Sequence, residues 1–260
     1  MRRVRWAWLA CVVVLGAMVA SAAAAEQAQK AEGKKATDRK GRPLPAAAIP
    51  VPRNDAGWTK RHESMNARVA KGNVDLVLIG DSITQGWEGG GKKAWDEYYG
   101  PRNAVNLGIG GDQTQHVLWR LQNGNVKGIS PKLAVLMIGT NNAGGKKPEE
   151  IAQGIRAIVR ELRTSLPDTK VLVLAIFPRG PNNDDVLRKV VAETNQLVAG
   201  SRRIDGQSVK FKDIGPKFLQ PDGTLPKEIM PDLLHLSPKG YQIWAESIEP
   251  EVAEVLGPKK

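Results

Sequence analysis

Serine, aspartate, histidine, glycine and asparagine residues in four separate stretches of the sequence could together form a nucleophilic site. The stretches are Gly80-Asp81-Ser82, Gly110-Gly111-Asp112, Gly139-Thr140-Asn141-Asn142 and Asp232-Leu233-Leu234-His235. A serine hydroxyl is a weak nucleophile at neutral pH. It needs a base that takes its proton, a group that orients the base, and donors for the oxyanion that develops. The four stretches contain candidates for each of these roles.

Ser82 is the candidate nucleophile and His235 the candidate base. Asp232 precedes His235 by three residues, so its carboxylate can reach the imidazole Nδ1–H and fix the tautomer that accepts a proton from serine. The backbone N–H groups of Ser82 and Gly111 and the side-chain amide of Asn141 are the candidate oxyanion donors. These residues predict a two-step acyl transfer in which an ester acylates Ser82 and water, activated by His235, then releases the acid.

Each of these five residues also has an ordinary structural explanation. The serine could cap a helix, the glycine could form a tight turn, and the asparagine could lie in a left-handed loop. The aspartate could belong to a turn and the histidine to the surface. Three neighbouring polar residues are predicted to be structural: Asp81 supports its loop through backbone hydrogen bonds, and His116 and Arg120 lie on the helix after the glycines.

The elements that must position these residues are predicted from hydrophobic periodicity, which begins at Trp58. Apolar runs of strand length lie at 74–79, 104–107, 133–138 and 171–176, with a weaker one near 208–211. Unbroken apolar runs that alternate with helices are typical of parallel strands buried on both faces. The sequence therefore predicts an α/β fold, a three-layer αβα sandwich with a central parallel sheet.

Helix signals agree with this fold. One helix is predicted to begin after Pro148-Glu149, a second covers residues 186–198, and the last has Ser237 as N-cap and Pro238 in its first turn. Residues 206–231 are rich in proline, glycine and aspartate and are predicted to be irregular. Because ligands bind at the carboxyl ends of the strands in open sheets of this kind, the polar stretches after the first three strands are expected at one edge.

The N-terminus has the pattern of a secretory signal peptide at residues 1–25. A basic start (1–5) precedes an apolar run (6–20) and small residues (21–25), and the run is shorter than the roughly 20 residues that span a bilayer. We predict export to the periplasm or beyond, without stable membrane insertion after cleavage; an uncleaved anchor is the alternative. Cys11 is the only cysteine, so the mature protein would have no disulfide.

Residues 26–57 are rich in alanine, lysine and proline, lack apolar periodicity and are predicted to form a disordered basic linker. The domain is then expected at residues 58–260. The formal net charge of +11 is concentrated before this domain and has no interleaved aromatic pattern, so nucleic acid is not a predicted partner. Neither a metal site nor a cofactor is predicted. The chain has three histidines without zinc-ligand spacing, and the GxxxxGK match at residues 86–92 has Lys93 where a phosphate loop needs Ser or Thr.

The four stretches, in this order, resemble the four blocks of the SGNH, or GDSL, hydrolases. The longer runs NLGIGGDQTQHVLWRLQNG, GTNN, FPRG and DLLHLSPKGY are similar to the catalytic subunits of the platelet-activating-factor acetylhydrolase type. The resemblance extends from about Val74 to Leu256. It implies the flavodoxin-like fold of these hydrolases, the same five site residues, and an acyl pocket formed by Ile83, Thr140 and Leu234 that prefers acetyl or similar groups. It also makes a homodimer plausible.

Three functions are consistent with the sequence. The first is an exported esterase that removes short acyl groups, acetyl above all, from small-molecule or glycan esters of carbohydrate or cell wall. The second is a lipid or phospholipid acetylhydrolase, and the third is a glycan-binding protein that keeps the fold without turnover. The glycine-rich stretch Gly89-Gly90-Gly91 departs from the family pattern and could reshape the alcohol side of the cleft.

Overall fold

The computed structural model describes residues 36–38 and 40–259. The predicted signal peptide and the first part of the predicted linker lie outside these residues. Contacts divide the chain into a unit that ends at Leu44 and a unit that begins at Pro45. In the first unit, Thr37 and Pro43 form an isolated antiparallel bridge. Within the described part of the chain, no helix combines the length and the apolar character needed to cross a membrane.

Five parallel strands form one sheet in the second unit, in the order β2-β1-β3-β4-β5. The strands are β1 (Leu76–Gly80), β2 (Ala104–Gly108), β3 (Leu133–Met137), β4 (Lys170–Leu174) and β5 (Val209–Lys212). The strand order reverses between β1 and β3, and the carboxyl ends of these two strands therefore form the position where open α/β sheets bind ligands. The predicted parallel sheet is confirmed.

Seven α-helices accompany the strands in the described residues. They are α1 (Ala56–Ala70), α2 (Ser82–Gln85), α3 (Lys92–Tyr98), α4 (Thr114–Arg120), α5 (Pro148–Ser165), α6 (Val186–Ala199) and α7 (Pro238–Leu256). The helix predicted after Pro148-Glu149 begins earlier, because Pro148 is already the first residue of α5. Ser237 caps α7 as predicted, by accepting a hydrogen bond from the Gly240 N–H at 3.2 Å.

Alternate residues of each strand face two separate apolar cores, as expected for a side-chain period of two. Val77 and Ile79 face the core that α1, α4, α5 and α6 cover, while Leu76 and Leu78 face the core that α3 and α7 cover. The sheet is therefore the middle of three layers, which confirms the predicted αβα sandwich. Packing on both faces holds the strand ends, and the loops that follow them start from fixed positions.

The packed unit begins at Pro45, before the boundary that was predicted at Trp58. Ala47 and Ala48 are buried in a single 3-10 turn, and the Thr114 hydroxyl donates a 2.8 Å hydrogen bond to the Ala47 carbonyl. The prediction of a disordered linker as far as residue 57 is therefore wrong from Pro45 onward. Two small side chains in one turn bury apolar surface without producing any periodic pattern, and hydrophobic periodicity therefore could not predict this turn.

Candidate active site

The structure places Ser82, His235 and Asp232 in one continuous chain of hydrogen bonds. The Ser82 Oγ lies 2.9 Å from the His235 Nε2, and the His235 Nδ1 lies 2.6 Å from the Asp232 Oδ2. Ser82 is the first residue of α2, directly after β1, whereas the other two residues precede α7. With the Nδ1 proton held by the carboxylate, the His235 Nε2 is free to accept the serine proton.

Asp232 is fixed by the loop that it starts. Its Oδ1 accepts hydrogen bonds from the N–H groups of Leu234 at 3.0 Å and His235 at 2.7 Å. Leu233 takes a left-handed conformation with φ of 61°, and its carbonyl accepts from the Gly180 N–H in the loop after β4. Partial burial acts to raise the pKa of Asp232, but the hydrogen bonds from His235 and Leu234 outweigh it and hold that pKa below its ordinary value. The carboxylate is therefore charged when the imidazole takes a proton.

Ser82 begins a helix, and this gives it an unused backbone donor. Asp81 is the N-cap of α2, and its Oδ1 accepts from the Ile83 N–H at 3.0 Å. The first N–H of a helix has no partner inside the helix. The Ser82 N–H also has no hydrogen-bond partner elsewhere among the described residues. Asp81 thus caps the helix, and Ser82 carries a hydroxyl and a free N–H together.

The loop after β2 contains Gly111, the second candidate donor. Gly111 has φ of 77°, a conformation that favours glycine. The neighbouring N–H groups are occupied, because Gly110 donates to the Gln85 Oε1 at 2.7 Å and Asp112 donates to the Ile109 carbonyl at 3.2 Å. The Gly111 N–H itself makes no hydrogen bond within the described ranges. It remains available to a ligand.

Asn141 lies against this same loop. It belongs to a 3-10 turn, Thr140–Asn142, that follows β3, and its side-chain Nδ2 donates to the Asp112 carbonyl at 2.9 Å. In return, the Gln113 side chain donates to the Asn141 carbonyl at 2.9 Å. An amide nitrogen carries two hydrogens, so one remains after the contact with Asp112. The structure therefore brings the loops of Gly111 and Asn141 together.

The predicted acyl-pocket residues have different surroundings. Ile83 is buried, and Leu234 is half-buried and packs against the same apolar cluster. Thr140 is buried as well, and its Oγ1 accepts from the Arg179 Nη1 at 3.1 Å. Arg179, in the loop after β4, was not predicted as a site residue, although it belongs to the run FPRG that resembles the family. It fixes the threonine side chain in place.

Asp112, the residue after Gly111, forms a buried ion pair with Arg120. The Asp112 carboxylate accepts from the Trp58 indole at 2.7 Å and from the Arg120 Nε at 2.8 Å. Arg120 also donates to the carbonyls of Gly80 and Leu107 near the ends of β1 and β2, which agrees with a structural role. The His116 Nδ1 accepts from the Gln113 N–H at 3.0 Å. Across residues 36–38 and 40–259, no three His, Cys, Asp or Glu side chains are grouped so that they could hold a metal ion.

Folding strongly changes the pKa of the Asp81 carboxyl. Burial raises the pKa of its carboxyl from 3.8 to about 7; the Ile83 N–H opposes this rise, and the charge of Asp112 adds to it. Its Oδ2 is buried without a hydrogen-bond partner, so little compensates the loss of water. Between these two pKa values the folded state binds more protons than the unfolded chain. The free energy of unfolding is therefore expected to fall as the pH rises from about 4 to about 7.

The change Asp81→Asn should remove this pH dependence while keeping a helix cap. We expect the stability of the variant relative to the parent to rise by up to about 4 kcal/mol between pH 4 and 7, because one pKa unit is worth about 1.4 kcal/mol. Urea unfolding at several pH values in this range measures the difference. Asp96→Asn, at an exposed carboxylate, is the control. Parallel stability curves for parent and Asp81→Asn would contradict the prediction.

The chain is similar in sequence and in fold to known hydrolases. The model of the GDSL-like lipase/acylhydrolase family matches residues 78–243. The human platelet-activating factor acetylhydrolase IB subunit alpha1 is 38% identical over 203 residues, which cover 75% of this chain and 84% of that protein. Among solved structures, a GDSL-like lipase from Bacteroides thetaiotaomicron has a TM-score of 0.60 at 19% identity and covers 76% of this chain and 98% of its own. A mutant of an acetyl-xylooligosaccharide esterase from Geobacillus has a TM-score of 0.55 at 19% identity, with 70% and 94% covered.

Proposed function

Since the chain belongs to the GDSL-like lipase/acylhydrolase family, we propose that this carboxylic ester hydrolase removes short acyl groups, acetyl above all, from esters of carbohydrate or cell-wall sugars. The observation that carries the chemistry is the hydrogen-bonded chain from the Ser82 Oγ through His235 to Asp232. It joins a nucleophile, a base and an orienting carboxylate in the order that acyl transfer requires.

The reaction proceeds in two steps. The His235 Nε2 takes the proton of the Ser82 hydroxyl while the Oγ bonds to the ester carbonyl carbon, and the charged carboxylate of Asp232 stabilises the imidazolium that forms. The unused N–H groups of Ser82 and Gly111 and the second amide hydrogen of Asn141 stabilise the oxyanion. His235 gives the proton to the departing alcohol. It then takes a proton from water, which attacks the acyl carbon, and returns that proton to the Ser82 Oγ as the bond to the acyl group breaks and the acid is released.

The proposed preference for a short acyl group is supported by the burial of two residues that the family resemblance assigns to the acyl pocket. Ile83 and Thr140 are almost fully buried, at 1% and 2% exposure, so neither side chain can move aside easily to admit a long chain. The contact of Thr140 with Arg179 restricts that side chain further. The 38% identical human relative is named as an acetylhydrolase, which supports an acetyl group as the acyl part.

The exposure of the base favours a carbohydrate ester. The side chains of His235 and Asp232 are 44% and 57% exposed, so the leaving-group side of the site is open to solvent and can accept a bulky, hydrated alcohol. A fold relative is named as an acetyl-xylooligosaccharide esterase. The competing proposal, a phospholipid acetylhydrolase, rests on the name of the human relative.

Acetate release from a substrate panel distinguishes these proposals. The panel contains an acetylated xylo-oligosaccharide, an acetylated cell-wall sugar, a phospholipid with one acetyl ester, and nitrophenyl esters of acetate and of a long-chain acid. We expect acetyl esters to exceed the long-chain ester by at least about tenfold in kcat/KM, since pocket size alone discriminates by about 10- to 200-fold. The acetylated sugars should exceed the phospholipid. Faster hydrolysis of the long-chain ester would refute the short-acyl preference, and faster hydrolysis of the phospholipid would favour the lipid proposal.

Export and dimerisation rest on separate arguments. We propose export because residues 1–25 have the pattern of a signal peptide. The N-terminal sequence of the protein recovered outside the cytoplasm should then begin near Glu26. The homodimer stays a prediction from the family resemblance, and light scattering of the purified protein measures it.

A further inference from the structure

Arg53 reaches the candidate oxyanion loop from the segment before α1. Its Nη1 donates to the Gly110 carbonyl at 2.6 Å and lies 3.5 Å from the Asp112 Oδ1, while its Nη2 pairs with Asp55 at 2.9 Å. The arginine side chain is 28% exposed and is therefore held between two carboxylates with one face in solvent. None of these contacts was expected, because Arg53 lies in the stretch that was predicted to be a disordered linker.

The Gly110 carbonyl and the Gly111 N–H are two ends of one peptide group. All described peptide bonds are trans, so the carbonyl and the N–H point in opposite directions from the same plane. A cation that holds the carbonyl oxygen therefore also fixes the direction of the N–H. Because a hydrogen bond at the carbonyl polarises the amide, it strengthens the N–H as a donor as well.

Hydrogen bonds restrain this peptide group and its neighbours in the loop, whereas the Gly111 N–H is left for a substrate. The Gly110 N–H is held by Gln85, the Gly110 carbonyl by Arg53, and the Asp112 carbonyl by Asn141. Glycine pairs are intrinsically mobile, so the orientation of their amides depends on such contacts. A Cβ at Gly111 would lie 3.0 Å from the Arg53 Nη1, which shows how closely the guanidinium packs against this residue.

We propose that Arg53 is a positioning residue that aligns and polarises the Gly110–Gly111 peptide so that the Gly111 N–H stabilises the oxyanion. This proposal rests on the proposed function, in which that N–H is a donor. Arg53 should stabilise the transition state more than the bound substrate, because the negative charge on the oxyanion appears only in the transition state. Loss of the guanidinium should therefore lower kcat and leave KM for a small ester nearly unchanged.

The test compares Arg53→Ala with Arg61→Ala on a nitrophenyl acetate. Arg61 is a matched control because it is 23% exposed, pairs with Glu88 and also donates to a loop carbonyl, that of Gly108, at 2.8 Å. The N–H of that peptide, on Ile109, is already bonded to the Gly80 carbonyl. We expect Arg53→Ala to lower kcat by about tenfold, the loss of roughly one hydrogen bond to a charged group, with KM changed less than about twofold. Arg61→Ala should keep kcat within about twofold of the parent.

Chemical rescue separates positioning from loss of stability. Because the Arg53 side chain is partly exposed, guanidinium ion added at low concentration can enter the space left in Arg53→Ala and should restore part of kcat. Sodium chloride at equal ionic strength should not. Unchanged kcat in Arg53→Ala, an equal fall in both variants, or a rise in KM in place of the fall in kcat would overturn the proposal. A parent protein without activity on any ester would instead refute the proposed function itself.

Discussion

Replacement of Ser82 with alanine is expected to lower kcat/KM for acetyl esters by at least about 10⁴-fold, because no other group can form the acyl-enzyme. The side chain has one hydrogen bond in the structure, to the His235 Nε2, and alanine is well tolerated in a helix. The variant should therefore fold like the parent. Chromogenic acetate release measures the activity, and thermal unfolding measures the stability.

Ser64→Ala is the matched control for this experiment, since Ser64 is an exposed serine on α1 outside the hydrogen-bonded chain of Ser82, His235 and Asp232. It should retain the parent's activity. Rates for Ser82→Ala equal to those of the parent would exclude Ser82 as the nucleophile. The variant also addresses the glycan-binding alternative, because a protein that only binds would show the same affinity and the same absence of turnover with either residue.

Replacement of His235 with alanine is expected to cost about as much as the loss of Ser82, since the hydroxyl keeps its proton without a base. The decisive measurement is the double variant. Residues that act as one unit have effects that do not add, so Ser82→Ala with His235→Ala should be no slower than the worse single variant. The values of kcat/KM for the parent, the two single variants and the double variant give the coupling free energy between Ser82 and His235.

His116→Ala is the control for a histidine near the site but outside the hydrogen-bonded chain. Its ring accepts from the Gln113 N–H and makes no contact with Ser82. We expect kcat/KM of this variant to fall by less than about tenfold, as is typical for the loss of a loop hydrogen bond worth about 1 kcal/mol. Additive losses in the Ser82 and His235 double variant would contradict the proposed chain of proton transfer.

Much of the fold could be predicted because the relevant signals are local. Apolar runs buried on both faces indicated the strands, and Ser237-Pro238 indicated the start of α7, since cap and first-turn preferences depend on adjacent residues. The ends of the strands were predicted less accurately: β1 begins at Leu76 although the apolar run begins at Val74. The segment from Pro45 to Asp55 could not be predicted, because its side chains are placed by contacts with distant loops and by no periodicity of their own.

The candidate site likewise has one part that the sequence predicts and another part that only the tertiary structure shows. The sequence by itself determined the residue types and the pairing of Asp232 with His235, because three residues of chain suffice to turn a carboxylate onto an imidazole. Only the tertiary structure decided that His235 meets Ser82 across 153 residues, and that Arg53 reaches Gly110 across 57. Such contacts exist because the parallel sheet brings the ends of β1, β2 and β3 to one edge and packs the segment before α1 beside them, and a linear pattern does not encode those distances.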